Sequence, residues 1–474
     1  MKKLMTVAAV AAVAGAAVAA GLGPQSYVQN GLVAQFDAID NEGTGTHNPS
    51  AAVWRDLKGS ASLTLTGGAG WTDRYFDSSA DLQKFADMPA FQRNSLTVET
   101  AINIVSNGNR SASGTVYPRI FNAPRCTLHS TGNTSTQFRF YMSDAIPGDN
   151  NNSRPTTPSF RSATVSCYSG SEYFAVALDA VQKAKTSKPA TAYLSIGGGE
   201  WSLNGPDGYL HGHYYALRMY NRMLSMGEMA TNAVIDKLRF WSYTYTGGGE
   251  TVGWGDIAWT LPEGSTDPAP STRTNAYAQV ANATVNVAAA DSIGLAGLSL
   301  EDGAKLDVAA GAIAAVKVLY VEGVAIPRGI YTGTGPVGTQ VSWLSGDGIL
   351  GVAGSLDRGA PSLIPTPAAD GWYEFGLASG YAHGYDVGWS ATVKYHYIIG
   401  VRPLWDDYAF PAGAKLRLVG GILLETVPAG VFSQYDMSGL KIVYLHGTTA
   451  FADGTPLTVP NGCTFRFQSG TWMP

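Results

Sequence analysis

The stretch GYLHGHYYALRMYNRMLSMGEMATNAVIDKLRF, residues 208–240, decides the fold. Its first part alternates in the way that an extended chain with two different faces requires. One side of this predicted strand carries His213, Tyr215, Leu217 and Met219, and the other carries Tyr214, Ala216, Arg218 and Tyr220. We therefore predict a strand with one buried face.

The spacing of the apolar residues then changes from that of a strand to that of a helix. Ser225 followed by Glu228 is the pattern of a capping box, in which a hydroxyl and a carboxylate satisfy backbone N–H groups at a helix start. Helical spacing continues through Met226, Met229, Ala230, Ala233 and Val234. A short helix with an apolar side is therefore expected to close the first domain.

The first 20 residues have the pattern of a secretory signal peptide. Lys2 and Lys3 precede an apolar, alanine-rich segment, and Ala17-Val18-Ala19 is a small-x-small cleavage site. A retained membrane anchor is the alternative, but so much alanine disfavours it. No later segment is long and apolar enough to span a bilayer. We expect a secreted or cell-surface protein, with residues 1–20 as the leader.

Composition excludes some classes of partner. The chain has 474 residues and a net charge of −5, and removal of Lys2 and Lys3 with the leader lowers this to −7. Nucleic acid or an anionic membrane would require a basic surface, so neither is expected as a partner. The 57 glycines, 24 tyrosines and 11 tryptophans are typical of an extracellular β protein with many turns.

The three cysteines are too few for a disulfide scaffold. Cys126 and Cys167 lie in the same region and could pair in an oxidising compartment, while Cys463 is left over. Their spacing fits no zinc pattern. One optional disulfide and one buried thiol is the simplest interpretation.

Residues 28–240 contain short strand patterns separated by turns, which predicts an all-β fold with a two-sheet sandwich or jelly roll. The longest alternation is SLTVETAINI, residues 95–104. GLVAQFDAIDNEGTGTHNPSAAVWRDLKG resembles the opening of LamG-like (concanavalin A-like) jelly-roll domains of bacterial surface proteins, and YALRMYNRMLSMGEMATNAVIDKLRF resembles their closing segment. The resemblance implies the jelly-roll fold over 28–240, but it assigns no activity, because these domains serve many functions.

The second half differs in pattern. Residues 247–275 have the Gly, Pro, Ser and Thr content of a linker, in which Trp254 and Trp259 are expected to pack on a neighbouring domain. From 276 to 356, very short apolar runs alternate with Gly, Ala or Asp, which suggests stacked rungs and resembles the β-solenoid-like passenger segments of bacterial surface proteins. The remainder, 357–474, is expected to be a second β-rich unit.

An internal repeat links these two units. The segment GAKLDVAAGAI at 303–313 recurs as GAKLRLVGGIL at 413–423, and KVLYVEG at 317–323 recurs as KIVYLHG at 441–447. Both segments recur in the same order, so a duplicated β unit explains them better than chance.

The sequence contains no hydrolase, metalloprotease, P-loop or dinucleotide signature, and therefore no catalytic residue is assigned. Glu99 stands alone on its predicted strand, whereas glycoside hydrolysis usually needs two carboxylates. The best ligand loop is DAIPGDNNN, with Asp144, Asp149, Asn150 and Asn151 as candidate sugar or calcium ligands, Asp144 and Asp149 above all. Any surface turn uses the same residue types, and Asp37 and Asp40 share this ambiguity.

Two further groups have alternative interpretations. His211 and His213 share a strand face and could bind a metal, but no carboxylate or cysteine is near them in sequence, which favours ordinary strand-end histidines. Sugar rings could stack on Trp54, Trp71 and Trp201, although packing in the core is the commoner role of tryptophan.

Three functions remain open at this stage. The first is a secreted or cell-surface, non-catalytic binding or adhesion protein that contacts glycan through the LamG-like domain, with calcium as an optional cofactor. The second is an enzyme acting on extracellular polysaccharide. The third is a purely structural envelope protein. Fold analogy favours the first.

Overall fold

The computed structural model describes residues 21–352 apart from short gaps, together with strand segments further on. The predicted leader and Cys463 lie outside the described residues. The gaps are 80–81, 94, 109–116, 124–125, 133–134, 143–153, 188–193, 197–198, 204–208, 271–275, 289–291, 311, 328 and 336–338. The later segments are 372–375, 414–418, 440–446, 449–450, 464–469 and 472–473.

Residues 32–240 form seventeen strands and one α-helix within the described ranges. The strands are β1 Leu32–Asp37, β2 Val53–Arg55, β3 Ser62–Thr64, β4 Gly70–Trp71, β5 Phe76–Asp77, β6 Gln83–Met88, β7 Phe91–Arg93, β8 Leu96–Gly108, β9 Arg119–Ala123, β10 Cys126–Ser130, β11 Phe138–Met142, β12 Ser162–Ser169, β13 Tyr173–Leu178, β14 Val181–Ser187, β15 Leu194–Ile196, β16 Gly199–Leu203 and β17 Tyr209–Tyr220. The helix, α1, spans Met226–Phe240.

These strands form a β-sandwich, as the sequence predicts. The first sheet has the order β14-β13-β12-β8-β17-β5-β4, with β1 also paired to β17, and the second has the order β11-β10-β9-β16-β6-β3-β2. All pairings within both sheets are antiparallel. Alternate side chains of the two sheets meet in one apolar core, in which Phe36, Trp54 and Trp201 are fully buried.

The alternation predicted for β17 holds only in part, because the strand contains a β-bulge. Register shifts between Tyr214 and Ala216, so that Tyr215 and Ala216 together oppose Ala101 of β8. Tyr214 lies in the sandwich core with Leu217, while Tyr215 lies on the outer face of the sheet. The extra residue of the bulge reverses which side chains of the strand face the core. The alternation of residues in the sequence does not reveal this reversal.

The predicted helix and its capping box are confirmed. The Ser225 hydroxyl accepts from the backbone N–H of Glu228, and the Glu228 carboxylate accepts from the backbone N–H of Ser225. The α1 helix lies on the outer face of the first sheet, where Met229 packs on Tyr168, Ala175 and Tyr220. Its far side is apolar too: Val234, Ile235 and Leu238 pack with Tyr320 of the second half.

The second half begins earlier than predicted, and most pairings between its described strands are parallel. Further strands in the described residues are β18 Tyr243–Thr246, β19 Thr251–Gly253, β20 Tyr277–Ala281, β21 Thr284–Val287, β22 Ser292–Glu301, β23 Lys305–Val308, β24 Ile313–Val321, β25 Val324–Ile326, β26 Gly329–Thr332, β27 Thr339–Gln340, β28 Leu344–Ser345, β29 Ile349–Val352, β30 Trp372–Phe375, β31 Ala414–Leu418, β32 Leu440–His446, β33 Thr449–Ala450, β34 Thr464–Ser469 and β35 Trp472–Met473. The pairings of β24 with β25 and of β26 with β29 are antiparallel.

Successive strands of this half alternate between two sheets. One sheet contains the parallel series β18, β20, β22, β24 and β29, and the other contains β19, β21, β23 and β28. The chain therefore coils, and each turn pairs with the next. Part of the segment predicted as a linker, 247–275, belongs to the first turn: β19 lies within it, and Trp254 and Trp259 are buried in the apolar core between the sheets.

The predicted repeat does not show equivalent strand pairing in the segments that the structure describes. In the first copy, β23 and β24 lie in different sheets. In the second copy, β31 and β32 are neighbours in one sheet. A duplicated unit therefore stays a prediction from sequence.

A pH-dependent contribution of Glu228 is the first testable prediction. The Arg222 guanidinium donates to this carboxylate and lowers the pKa of Glu228 from 4.5 to about 2. A lowered pKa means that the interaction stabilises the folded state above about pH 4.5 and that this stabilisation is lost as the pH falls towards 2. Glu228→Gln should therefore destabilise the protein by roughly 0.5 to 1 kcal/mol at pH 7, with a smaller difference at pH 3.

Urea denaturation of both proteins at pH 7, 5 and 3 measures this difference. The exposed Glu172→Gln variant is the matched control and should leave the free energy of unfolding at pH 7 nearly unchanged. A Glu228→Gln difference that is constant from pH 7 to pH 3 would contradict the assignment.

Candidate functional site

A buried ion cluster joins α1 to the first sheet. Arg218 of β17 donates from Nε to Glu99 at 3.1 Å, and from Nη1 and Nη2 to Asp236 of the helix at 2.8 and 2.6 Å. All three side chains are fully buried. Burial raises the pKa of Glu99, and the neighbouring carboxylate of Asp236 adds to this, while Arg218 opposes it.

Neutral groups complete the hydrogen bonding of these carboxylates. Glu99 accepts from Asn232 at 2.7 Å and from Ser166 at 3.0 Å. Asp236 accepts from Thr164 at 2.7 Å and from Tyr27 at 2.8 Å. Glu99 therefore has a second carboxylate beside it, contrary to its solitary position in the sequence, but the pair is enclosed under the helix. Its role is structural, since no substrate reaches it.

Asp37 has a structural role of the same kind. Its carboxylate is buried, pairs with Arg239 at the end of α1, and accepts from the backbone N–H groups of Ile39 and Asp40 at 3.0 Å each. Asp40 accepts from the backbone N–H of Gly45 at 2.9 Å. The ambiguity between ligand and turn is thus resolved in favour of turn and ion pair for both residues.

The outer face of the second sheet carries a row of basic and aromatic side chains. Strand register places Arg119 of β9 and Arg139 of β11 directly opposite His129 of β10, on either side of it. His129 and Arg139 point away from the core, because their neighbours along the strands, Leu128, Phe138 and Phe140, point into it. Tyr117, which is 41% exposed, packs edge-on against His129 with ring centroids 5.5 Å apart.

A second row runs parallel to the first. Tyr141, Thr127 and Asn122 are cross-strand neighbours, and Arg154 lies over the ring of Tyr141 at 3.6 Å. Asn122 accepts from Arg119 at 2.6 Å and from Thr127 at 3.0 Å. The two rows form a partly exposed surface of hydrogen-bonding, cationic and aromatic groups, which we call the arginine face.

Three guanidinium groups act on His129. Burial and the charges of Arg139, Arg119 and Arg154 together lower the pKa of His129 to about 4, against the hydrogen bond to the backbone carbonyl of Ser130, which raises it. The imidazole is therefore neutral at pH 7, and it can donate one hydrogen bond and accept another. A carboxylate or sulfate placed here would meet the field of three guanidinium groups.

A second partly exposed cluster lies on the outer face of the first sheet, beyond the part that α1 covers. Asp77 of β5 and Asn103 of β8 are the cross-strand neighbours of His213 on β17. His211 lies two residues earlier on the same face, and its Nε2 is 2.8 Å from Oδ1 of Asp77. Donor atoms of Asp77, His211 and His213 all lie within 4.8 Å of one another.

Glu263 contacts this cluster from the other half of the protein. It lies in the segment that follows the first turn of the coil. Its carboxylate accepts from Nδ1 of His213 at 2.6 Å, from Asn103 at 2.7 Å and from the Tyr215 hydroxyl. Burial raises the pKa of Glu263, but the hydrogen bonds from His213 and Tyr215 outweigh it and hold the pKa below its usual value. Tyr75 stacks on His213 with ring centroids 3.9 Å apart.

The loop residues predicted as ligands cannot be placed. Asp144, Asp149, Asn150 and Asn151 lie outside the described residues, so the calcium or sugar loop stays a prediction. Trp54 and Trp201 lie in the sandwich core, and Trp71 is half-buried with its indole N–H donated to the carbonyl of Ala51. Packing is therefore the role of Trp54 and Trp201.

Cys126 and Cys167 face each other across the sandwich core as buried free thiols. Burial raises the pKa of both thiols, which leaves them protonated and unreactive at neutral pH. Neither contributes to a candidate site.

Sequence reasoning missed the arginine face, and it favoured ordinary strand-end histidines for His211 and His213 because no carboxylate is near them in sequence, whereas the structure brings Asp77 to them. The two outcomes have a common reason. The arginine face joins residues of three strands, and the histidine cluster joins residues more than 130 positions apart. Only the alternation of RFY at 139–141 and of HGH at 211–213 signalled that their side chains share a face.

No protein-family model matches this sequence, and no curated protein matches it. Among solved structures, Trypanosoma rangeli sialidase matches with a TM-score of 0.28 and 14% identity, over 42% of this chain and 32% of that chain. The ligand binding domain of botulinum neurotoxin serotype D, solved with N-acetylneuraminic acid, matches with a TM-score of 0.32 and 9% identity, over 45% and 53% of the two chains. This chain thus spans about a third of the sialidase and half of the toxin domain, and likeness at this level carries no functional argument.

In the part of the chain that the structure describes, no helix has the length and apolar character to cross a membrane.

The buried ion cluster gives the second prediction. Arg218→Met should destabilise the protein by about 3–5 kcal/mol, because it leaves two carboxylates buried without their cation. Arg222→Met, which alters a partly exposed arginine two residues after the same strand, is the matched control and should cost about 1 kcal/mol or less. Chemical denaturation at pH 7 measures both, and similar losses in the two variants would contradict the role assigned to Arg218.

Proposed function

We propose that this protein is a secreted or cell-surface, non-catalytic binding protein, and that it holds an acidic glycan on the arginine face of its sandwich. The observation that carries the proposal is the row Arg119–His129–Arg139 with the exposed ring of Tyr117 beside it. Secretion is supported by the leader pattern of residues 1–20.

The chemistry of this surface suits a sugar that carries a carboxylate or sulfate. Guanidinium groups bind such anions with two parallel hydrogen bonds, and a tyrosine ring offers an apolar face for a pyranose together with a polar hydroxyl. The remaining partly exposed groups, from Asn122 and neutral His129, can hydrogen-bond sugar hydroxyls, while Thr127 is buried and donates to Asn122. Flat antiparallel sheets present such groups at regular spacing over several sugar units.

A binding role is favoured over hydrolysis by the distribution of carboxylates. The closely placed pair, Glu99 and Asp236, is fully buried and committed to Arg218. The arginine face is built from cationic, amide and aromatic groups, whereas a glycosidase usually attacks with two carboxylates facing the sugar.

The loop predicted to bind calcium covers residues 144–152 in the sequence. Tyr141 and Arg154 flank it in sequence and contact each other on the arginine face. The resemblance of the opening and closing motifs to LamG-like domains also supports a ligand-binding sandwich. We therefore include calcium, with Asp144 and Asp149 as its first ligands, as an optional part of the proposal.

A glycan array with neutral, carboxylated and sulfated sugars, run with calcium and with a chelator, tests the function. Binding of acidic glycans is expected, and it should weaken as salt rises because the contacts are charged. Loss of binding with the chelator would assign calcium to the site. An absence of binding to any glycan under both conditions would overturn the proposal.

The location of the site is the third prediction. Arg139→Ala should weaken binding about 10- to 100-fold, because a hydrogen bond to a charged group contributes about 1.5–3 kcal/mol. Tyr117→Ala should weaken it less, since only stacking is lost. Arg161→Ala, an exposed arginine before β12 of the other sheet, is the control and should bind as the wild type does. Equal weakening by Arg161→Ala and Arg139→Ala would show that binding depends on charge alone.

A further inference from the structure

The histidine cluster of the first sheet has the composition of a metal centre. It contains two imidazoles and a carboxylate from two adjacent strands, with one donor atom of each within 4.8 Å of the others. Imidazole nitrogen with carboxylate oxygen is a ligand set that zinc-type cations prefer, whereas calcium and magnesium prefer oxygen alone.

Exposure allows an ion to enter. The side chains of His211 and Asp77 are 30% and 33% exposed, while His213 is more enclosed, at 13%. In the structure His211 and Asp77 contact each other directly at 2.8 Å. Ligand atoms around a tetrahedral zinc ion lie roughly 3.4 Å apart, given bonds of about 2.1 Å. Side-chain rotation of about an ångström is therefore enough to bring the three groups around one ion.

Glu263 prepares His213 for this role. It accepts hydrogen bonds from Tyr215, Asn103 and Nδ1 of His213, so the proton of the imidazole lies on Nδ1 and the lone pair on Nε2. A carboxylate that accepts from the far nitrogen of a metal-binding histidine is a recurrent arrangement, which fixes the ring and raises its basicity. Stacking on Tyr75 further restricts the ring of His213.

We propose that Asp77, His211 and His213 bind one divalent transition cation of the zinc class, with Glu263 as the positioning residue of His213. The fourth position is open to water or to an external donor. This site lies on the first sheet, whereas the arginine face lies on the second. Failure of one proposal therefore does not affect the other. The cation also connects the sandwich to the coil through Glu263.

Calorimetric titration of the full-length protein, stripped of metal by a chelator, with Zn2+ tests the site. One tight equivalent is expected, and it should raise the melting temperature because the ion binds only the folded state. His211→Gln and Asp77→Asn should each weaken this binding at least tenfold. Asp73→Asn, which removes an exposed carboxylate four residues from Asp77, is the matched control and should leave it unchanged.

Glu263→Gln separates positioning from folding. It should weaken Zn2+ binding about 10- to 100-fold, as outer-sphere changes usually do. The visible absorption spectrum of the Co2+ form should keep its tetrahedral character, because the ligands themselves remain. Circular dichroism of each metal-free variant verifies the fold, which the partial exposure of His211 and Asp77 should allow in His211→Gln and Asp77→Asn.

Two results would overturn the proposal. One is the absence of Zn2+ binding to the wild-type protein. The other is binding that persists unchanged in the His211→Gln and Asp77→Asn variants, which would place the ion at other histidines of the chain. Glycan binding by the arginine face is measured separately in the presence of a chelator, so failure of one proposal is distinguishable from failure of the other.

Discussion

The buried contact between Arg218 and the carboxylates of Asp236 and Glu99 is the constraint on which the rest of the structure depends. A charged side chain that is removed from water must lie close to a well-oriented partner of opposite charge. All three of these side chains are fully buried. The contact joins the last strand of the sandwich to the helix that follows it. It therefore determines where α1 lies on the first sheet, more specifically than apolar packing alone would.

The position of α1 has two consequences. Its far side packs on the parallel sheets of the second half through Val234 and Leu238, so the helix is shared by both halves. Glycine at position 297 of β22 leaves room for this packing, since a Cβ there would lie 2.7 Å from the ring of Tyr277 and 3.4 Å from Leu238 of the helix. The helix also covers only part of the outer face of the first sheet, which leaves Asp77, His211 and His213 accessible beside it.

The two sandwich sheets thus differ in what their outer faces do. The first is mostly covered, and its open remainder carries imidazoles and carboxylates. The second carries guanidinium groups and tyrosine rings in register across three strands. The net charge sums the basic and acidic side chains of the whole protein, and that sum is mildly acidic. It therefore gave no reason to expect a local basic surface.

The sequence by itself determined the all-β class, a sandwich in the first part of the chain, and the helix with its Ser225–Glu228 cap, because these depend on period and on contacts within one turn of chain. Tertiary structure decided what period cannot specify. The bulge at Tyr215 exchanged the faces of β17, and strand pairing placed residues 247–253 in the first turn of the coil. Strand pairing also brought Asp77 to His211 from 134 residues away, and the turn that contains Glu263 lies against His213, 50 residues earlier in the chain. Such contacts are set by sheet order and loop packing and leave no local signal in the sequence.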